Sequence, residues 1–175
     1  MSRDESELIK RIVEATLSKL NRTPLYVAKY PVGIDACVQY LGSLANVEAN
    51  DVGVIGIHGT GGIGKTTVPK ALCNNFADDF EGSSFLANVR ETSQQYYGLV
   101  QLQETLLFDM LGDQNLKVGS THRRINIIRE RLCHKSVLLI LDNVDQLDQL
   151  ETLAGGQDWF GPGSRVIITA KMSTS

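Results

Sequence analysis

The chain has 175 residues, with 17 basic and 20 acidic side chains and a formal net charge of −3. That length makes one ordinary domain, able to bury roughly 70% of its unfolded surface without a disulfide or a metal. Hydrophobic residues at 42% and charged residues at 21% exclude wholesale disorder, and the lack of a basic excess argues against general nucleic-acid binding.

The first twenty residues read as an amphipathic helix. Leu8, Ile9, Ile12, Val13, Leu17 and Leu20 recur at helical spacing, with Glu5, Glu7, Lys10, Arg11, Glu14 and Lys19 between them. Asn21 to Pro24 ends the helix, and Pro24 and Pro31 bracket an extended linker, because the residue before each proline avoids helix. The triplet Asn21-Arg22-Thr23 fits a glycosylation acceptor but reads as a polar turn. From Asp51 the pattern changes. Val52 to Ile57 is a short β-branched run ending in glycines, expected to form a strand buried on both faces. A helix is expected over 65–76, then a strand over Phe85-Leu86-Ala87-Asn88-Val89. Leu99, Leu102, Leu106 and Met110 stripe one helix, and Ile125, Ile127, Ile128 and Leu132 the next. Val137 to Leu141 is a third strand, Leu147, Leu150 and Leu153 mark a short helix, and Arg165 to Thr169 is a fourth strand. Apolar strands alternating with helices predict an α/β fold: a mostly parallel sheet flanked by helices.

The chain ends six residues after Thr169. A fragment is therefore expected, with strand 165–169 left uncovered and Val166-Ile167-Ile168 as a sticky surface. The apolar run Val137–Leu141 is far short of the roughly 20 residues that span a bilayer, and the charged start is no signal peptide. Three dispersed cysteines, Cys37, Cys73 and Cys133, without a CxxC pair read as reduced thiols of a cytoplasmic protein, with the nucleus as a second compartment.

The chemistry concentrates in two places. Gly59-Thr60-Gly61-Gly62-Ile63-Gly64-Lys65-Thr66 matches G-x-x-x-x-G-K-[ST] at every fixed position, between a strand and a helix. An oligophosphate needs many backbone N–H donors close together, and Gly59, Gly61, Gly62 and Gly64 remove the side chains that would obstruct them. Lys65 reaches the β- and γ-phosphates, and the Thr66 hydroxyl is a Mg²⁺ ligand. Pro69 falls just inside the following helix and is expected to weaken or kink it. The dinucleotide pattern G-x-G-x-x-G fits the spacing of Gly59, Gly61 and Gly64, but Lys65-Thr66 and a missing ribose-binding acid count against it. The second place is Asp142, an acid ending a buried aliphatic strand and hence at the ligand crevice of an open α/β sheet. With the loop upstream it is the second Mg²⁺ partner. Asn143 occupies the place of a water-orienting acid in many ATPases. It is a weak catalytic candidate, because an amide cannot accept a proton as a carboxylate does, so slow hydrolysis is expected. Asp145 is expected to cap the helix that follows.

Those residues resemble a family. Gly56 to Thr67 is similar to the phosphate loop of plant nucleotide-binding leucine-rich-repeat immune receptors. Phe85-Leu86-Ala87-Asn88-Val89-Arg90-Glu91, with Gly98-Leu99 and Leu102-Gln103, resembles the stretch typical of receptors with an N-terminal TIR domain, and Asp145 points to the same subclass. Leu139 to Asp145 resembles the family's second motif and Gly161 to Thr169 its third, and the leading helix with Tyr30 to Ile34 resembles the linker between the TIR domain and this module. The resemblance implies a linker at 1–30 and a partial NB-ARC domain, of the P-loop NTPase fold, at 31–175. It implies an ADP/ATP switch in plant defence, with ADP holding the receptor off, ATP permitting oligomerisation, and self-association through the full-length receptor. It puts Val32 and Gly33 near adenine, Ile63 and Thr67 on the phosphates with the rest of the loop, and Lys171 in the place of an arginine that senses the terminal phosphate. Lysine brings charge without a two-pronged geometry. Val68-Pro69 stand where the family usually has Leu-Ala. The TIR domain, with its NAD-hydrolase chemistry, is absent from this chain. The alternative is an ATPase or small-molecule kinase with true turnover, whose basic lid would have to come from Arg123, Arg124, Arg129 and Arg131, residues that read instead as a solvated helix face.

Overall fold

The structure, a computed structural model, describes residues 2–27, 33–45, 50–60, 64–112 and 120–171. Helix α1 spans Arg3–Asn21 and starts with a capping box. The Glu5 amide donates to the Ser2 hydroxyl at 3.2 Å, and the Ser2 amide donates to Glu5 Oε2 at 3.0 Å. After α2 (Ile34–Leu44) come β1 (Gly53–Gly59), α3 (Thr67–Phe76), β2 (Gly82–Leu86), the short α4 (Val89–Ser93), α5 (Gly98–Leu111), α6 (Thr121–Leu132), β3 (Val137–Leu141), α7 (Leu147–Ala154) and β4 (Arg165–Lys171). The four strands are parallel, in the order β1-β4-β3-β2.

Alternation along the strands sorts the core into two layers. Leu139, Leu141 and Val166 face one side, where Leu102, Leu106 and Met110 of α5, Ile128 and Leu132 of α6 and Leu153 of α7 cover them. Leu138, Ile140 and Ile167 face the other, under Leu72 and Cys73 of α3. Helices on both faces explain why β3 is five consecutive aliphatics, all buried.

Three strand expectations change. The second strand is Gly82–Leu86, not 85–89, because Asn88 takes a left-handed backbone (φ 51°) and Val89 already begins α4. β1 is not buried on both faces. It is an edge strand among the described residues, and Val54, Gly56 and His58 are exposed while Ile55 and Ile57 pack partly on the α3 side. Conversely β4 is not an uncovered surface. It inserts between β1 and β3, so Val166 and Ile167 are 2% and 0% exposed. An apolar run gives strand identity, but its neighbours decide its burial.

Gly161-Pro162-Gly163-Ser164 is the turn that aims β4 into that slot. Gly163 has φ 81°, the left-handed value that a turn with proline before it requires, and the Ser164 amide donates to the Gly161 carbonyl at 3.2 Å. The buried Ser164 hydroxyl donates to that carbonyl and accepts from the Val137 amide at 2.9 Å, while Arg165 Nη1 donates to the Asp51 carbonyl at 2.8 Å. The turn thus ties together the starts of β1, β3 and β4. Residues 28–32 and 172–175 of the expected linker and tail lie outside the described residues.

The strand order predicts opposite outcomes for two valines paired in register, Val54 and Val166. Val166→Asp buries a charge and is expected to cost about 3 kcal/mol or more, enough to abolish cooperative unfolding, whereas Val54→Asp is expected to cost about 1 kcal/mol or less. Urea unfolding followed by circular dichroism reads both.

Candidate functional site

Parallel strands bring their C-terminal ends to one edge, and β1, β3 and β4 all deliver sequence-predicted residues there. Gly59 ends β1 opposite Lys171 of β4, and Asp142 follows β3. The loop after β1 runs to Gly64, whose φ of 85° is a backbone that only glycine adopts without strain. The chain then turns into α3. The Val68 amide donates to the Gly64 carbonyl at 2.9 Å, and Thr66 is the residue before the first helical turn. Thr67, Val68 and Pro69 are the first three helical residues, so Pro69 lacks an N–H where the helix has no acceptor for it. The expected weakening of α3 therefore does not arise, and Pro69 is buried.

The helix start carries Thr66 to Asp142. The Thr66 hydroxyl donates to Asp142 Oδ1 at 2.9 Å, across 76 residues of sequence. The carboxylate is 1% exposed. It also accepts from the Thr169 hydroxyl at 3.0 Å and from the Asn88 amide at 3.4 Å. A buried carboxylate is tolerated only when donors surround it, and three chain segments supply them. The oxygen-only set of Thr66 and Asp142 suits a hard cation such as Mg²⁺. Lys65 Nζ donates to the Thr60 carbonyl of its own loop.

Thr169 and Glu91 were not among the sequence candidates. Besides donating to Asp142, the Thr169 hydroxyl accepts from the Asn143 amide at 2.8 Å. Glu91 takes both of its contacts from one amide group, as Asn143 Nδ2 donates to its two oxygens at 2.9 and 3.0 Å. Asn143 has φ 60°, a left-handed conformation that asparagine tolerates better than most residues. Its side chain is thus engaged with Glu91. The signal available in sequence was the Asn88-Val89-Arg90-Glu91 stretch, which docks as a unit: the Val89 and Arg90 amides donate to the carbonyls of Asp142 and Asn143 at 2.9 and 3.0 Å, and Arg90 pairs with Asp145 at 3.3 Å.

Two further expectations are corrected. Asp145 does not cap α7. Gln146 holds the position before the helix, while Asp145 accepts from Gln149 Nε2 at 2.9 Å and pairs with Arg90. The arginines of α6 are not a plain solvated face either. Arg124 is buried and paired with Glu104 at 2.9 Å, and Arg129 and Arg131 pair with Asp158 and Glu14.

Gly33, with φ 72°, precedes α2, and α2 packs on α3. Between them an apolar cavity of about 390 Å³, lined by Cys37, Tyr40, Leu41, Ile57, Lys65 and Val68, opens beside the loop. Val32, Gly61, Gly62 and Ile63 lie outside the described residues. A second cavity of about 240 Å³ holds Cys73 and Asp109, near Arg22 and Ser83. Burial pushes the Cys73 thiol up to about 11 and raises the Asp109 carboxyl, against a lowering hydrogen bond from Ser84. Neither cavity residue reaches Asp142, so this cavity stands apart from the phosphate loop.

Comparison with known proteins agrees with this geometry. Residues 39–174 match the family described as NB-ARC domain. The chain is 41% identical over 170 residues to Disease resistance protein RPV1 of Vitis rotundifolia, covering 97% of this chain and 12% of that protein. It is 38% identical to Disease resistance protein RUN1 of the same species, covering 95% and 12%, and 35% identical to TMV resistance protein N of Nicotiana glutinosa, covering 95% and 15%. The chain thus spans about an eighth of the length of the first of these relatives. Among the described residues no helix is long and apolar enough to cross a membrane.

Thr169→Val keeps the shape of the side chain but removes both of its hydrogen bonds. It is expected to lower stability by about 2–4 kcal/mol, since a buried carboxylate oxygen and a backbone N–H each lose a partner. Thermal unfolding of the variant beside Thr169→Ser, which keeps the hydroxyl and is expected to lose less than half as much, checks this.

Proposed function

This chain belongs to the NB-ARC family, and we propose that it is the ADP/ATP-binding switch module of a plant disease-resistance receptor. Membership implies nucleotide binding, and the observation that carries the finer reading is the 2.9 Å bond between Thr66 and Asp142. It brings the start of the phosphate-loop helix onto the acid at the end of β3, the two oxygen ligands that a Mg-nucleotide needs.

In this reading the amides of the loop, from Gly59 through Gly61, Gly62, Ile63 and Gly64 to Thr67, wrap the phosphates, helped by the positive end of α3. Lys65 exchanges its Thr60 carbonyl for the β- and γ-phosphates. Thr66 and Asp142 would hold Mg²⁺, which would supply charge neutralisation at the phosphates. Thr66 donates its only proton to Asp142, so its lone pairs face outward as a ligand. Lys171 shares the strand edge with Gly59 and answers to the terminal phosphate. Val32 and Gly33 would flank the base, and the apolar cavity between α2 and α3 would offer it a surface. Residues 1–30 act as the linker to a preceding domain and 31–175 as part of the nucleotide-binding domain. Three free thiols fit a reducing cytoplasm. ADP retention holds the full-length receptor off, and ATP exchange permits its self-association.

Slow hydrolysis follows from the amide at Asn143, which donates to Glu91 and cannot accept a proton from water as a carboxylate does. Asn143→Asp alone sets a carboxylate against Glu91 and is expected to change single-turnover hydrolysis less than threefold. Asn143→Asp with Glu91→Gln relieves the repulsion and is expected to raise it tenfold or more, as quenched-flow measurement of released phosphate would read.

Lys65→Ala is the primary test. It removes the cation facing the phosphates without touching the buried core. Calorimetry is expected to show MgADP affinity reduced at least tenfold against the unaltered chain, and equal affinities would refute the assignment.

A further inference from the structure

We propose that the outward face of α1 is a self-docking surface, on which α1 of a second copy of this chain lies antiparallel. The helix is mounted the wrong way round for a surface helix. Leu8, Ile9, Ile12, Val13, Leu17 and Leu20 are between 41% and 74% exposed. Arg11 and Glu14 of the helix, with Arg22 just past its end, face the body instead. Arg11 pairs with Glu81 at 2.7 Å, Glu14 with Lys135 at 2.9 Å and with Arg131 at 3.2 Å, and Arg22 with Asp78.

Those pairs fix the rotation of the helix. Lys135 is only 3% exposed, so turning the apolar stripe inward would strip a buried ammonium of its carboxylate, a loss of several kcal/mol. The apolar face is therefore held outward by the fold and needs a partner from outside it.

Charge selects the partner. The first turns of α1 carry Asp4, Glu5 and Glu7, and its last turn carries Lys19. An antiparallel copy sets the acidic start of each helix against the basic end of the other and opposes their dipoles, whereas a parallel copy stacks like charges. A lipid surface fits less well. Arg3, Lys10, Arg11 and Lys19 are balanced by Asp4, Glu5, Glu7 and Glu14, so the helix has no net charge to draw it to anionic headgroups. The six side chains expose on the order of 550 Å² on each copy, and twice that area lies at the lower end of specific interfaces, which suits a weak, concentration-dependent dimer.

The test is sedimentation equilibrium of the whole chain without nucleotide, so that its outcome is separate from the fate of the nucleotide reading. From roughly 5 to 500 μM the chain is expected to pass from monomer to dimer. Ile12→Asp, at the centre of the stripe, is expected to weaken the dimer more than tenfold while leaving the urea midpoint unchanged. Lys19→Glu is expected to weaken it severalfold, and Glu5→Lys with Lys19→Glu to restore most of the loss, a rescue that also stands if Ile12→Asp does not fold. A chain that stays monomeric over the whole range overturns the proposal. So does a dimer indifferent to both substitutions, and so does a monomer that binds phosphatidylserine vesicles through the same residues.

Discussion

The buried carboxylate of Asp142 is the constraint on which the rest of the arrangement turns. Its donors lie 76, 54 and 27 residues away, on the phosphate-loop helix, on the turn after β2 and on β4. A carboxylate 1% exposed would be strongly destabilising if any of these segments were misplaced. The strand order meets the requirement. β3 has β2 on one side and β4 on the other, so Asn88 and Thr169 arrive from adjacent strand ends, while Thr66 reaches over the end of β4 from β1. The same group that would hold a cation therefore also fixes the register of the edge that surrounds it.

The two ends of the sheet divide the work. At the N-terminal end the Gly161-Pro162-Gly163-Ser164-Arg165 segment binds β1, β3 and β4 together through Ser164 and Arg165. At the C-terminal end the side chains are Thr66, Asp142, Thr169 and Lys171, chosen for oxygen and charge. Four motifs that look alike as sequence signatures thus differ in kind. Only the loop, Asp142 and the end of β4 meet at the candidate site, and the Asn88–Glu91 stretch supports them from behind.

What could be read from sequence follows from how local each signal is. The loop spacing, the β3 run and the stripes of α5 and α6 are local patterns and appear where expected, as does the parallel α/β sheet itself. Burial is not local. Val52–Ile57 and Arg165–Thr169 are almost the same kind of run, yet one forms an edge of the described sheet and the other a central strand, and only strand order tells them apart. Asp145 and Arg124 depart from expectation for a related reason. Each is polar, and its role is set by a partner, Arg90 or Glu104, that no periodicity links to it. The α1 pattern was legible as amphipathic, but the side facing the body was decided by the buried Lys135, 121 residues after Glu14.

Alternation along β4 links the parts of the site. Thr169 and Lys171 are two residues apart and so project from the same face, and on that face Thr169 meets Asp142. Asn143, whose amide donates to the Thr169 hydroxyl, carries the connection on to Glu91. One hydrogen-bonded chain thus runs from Thr66 to Asp142, Thr169, Asn143 and Glu91, from the start of α3 to α4. Asp142 is the branch point of that chain, since it also accepts from the Asn88 amide, so the loop, the turn after β2 and β4 share one acceptor. The chain is built from polar side chains that packing alone would not require.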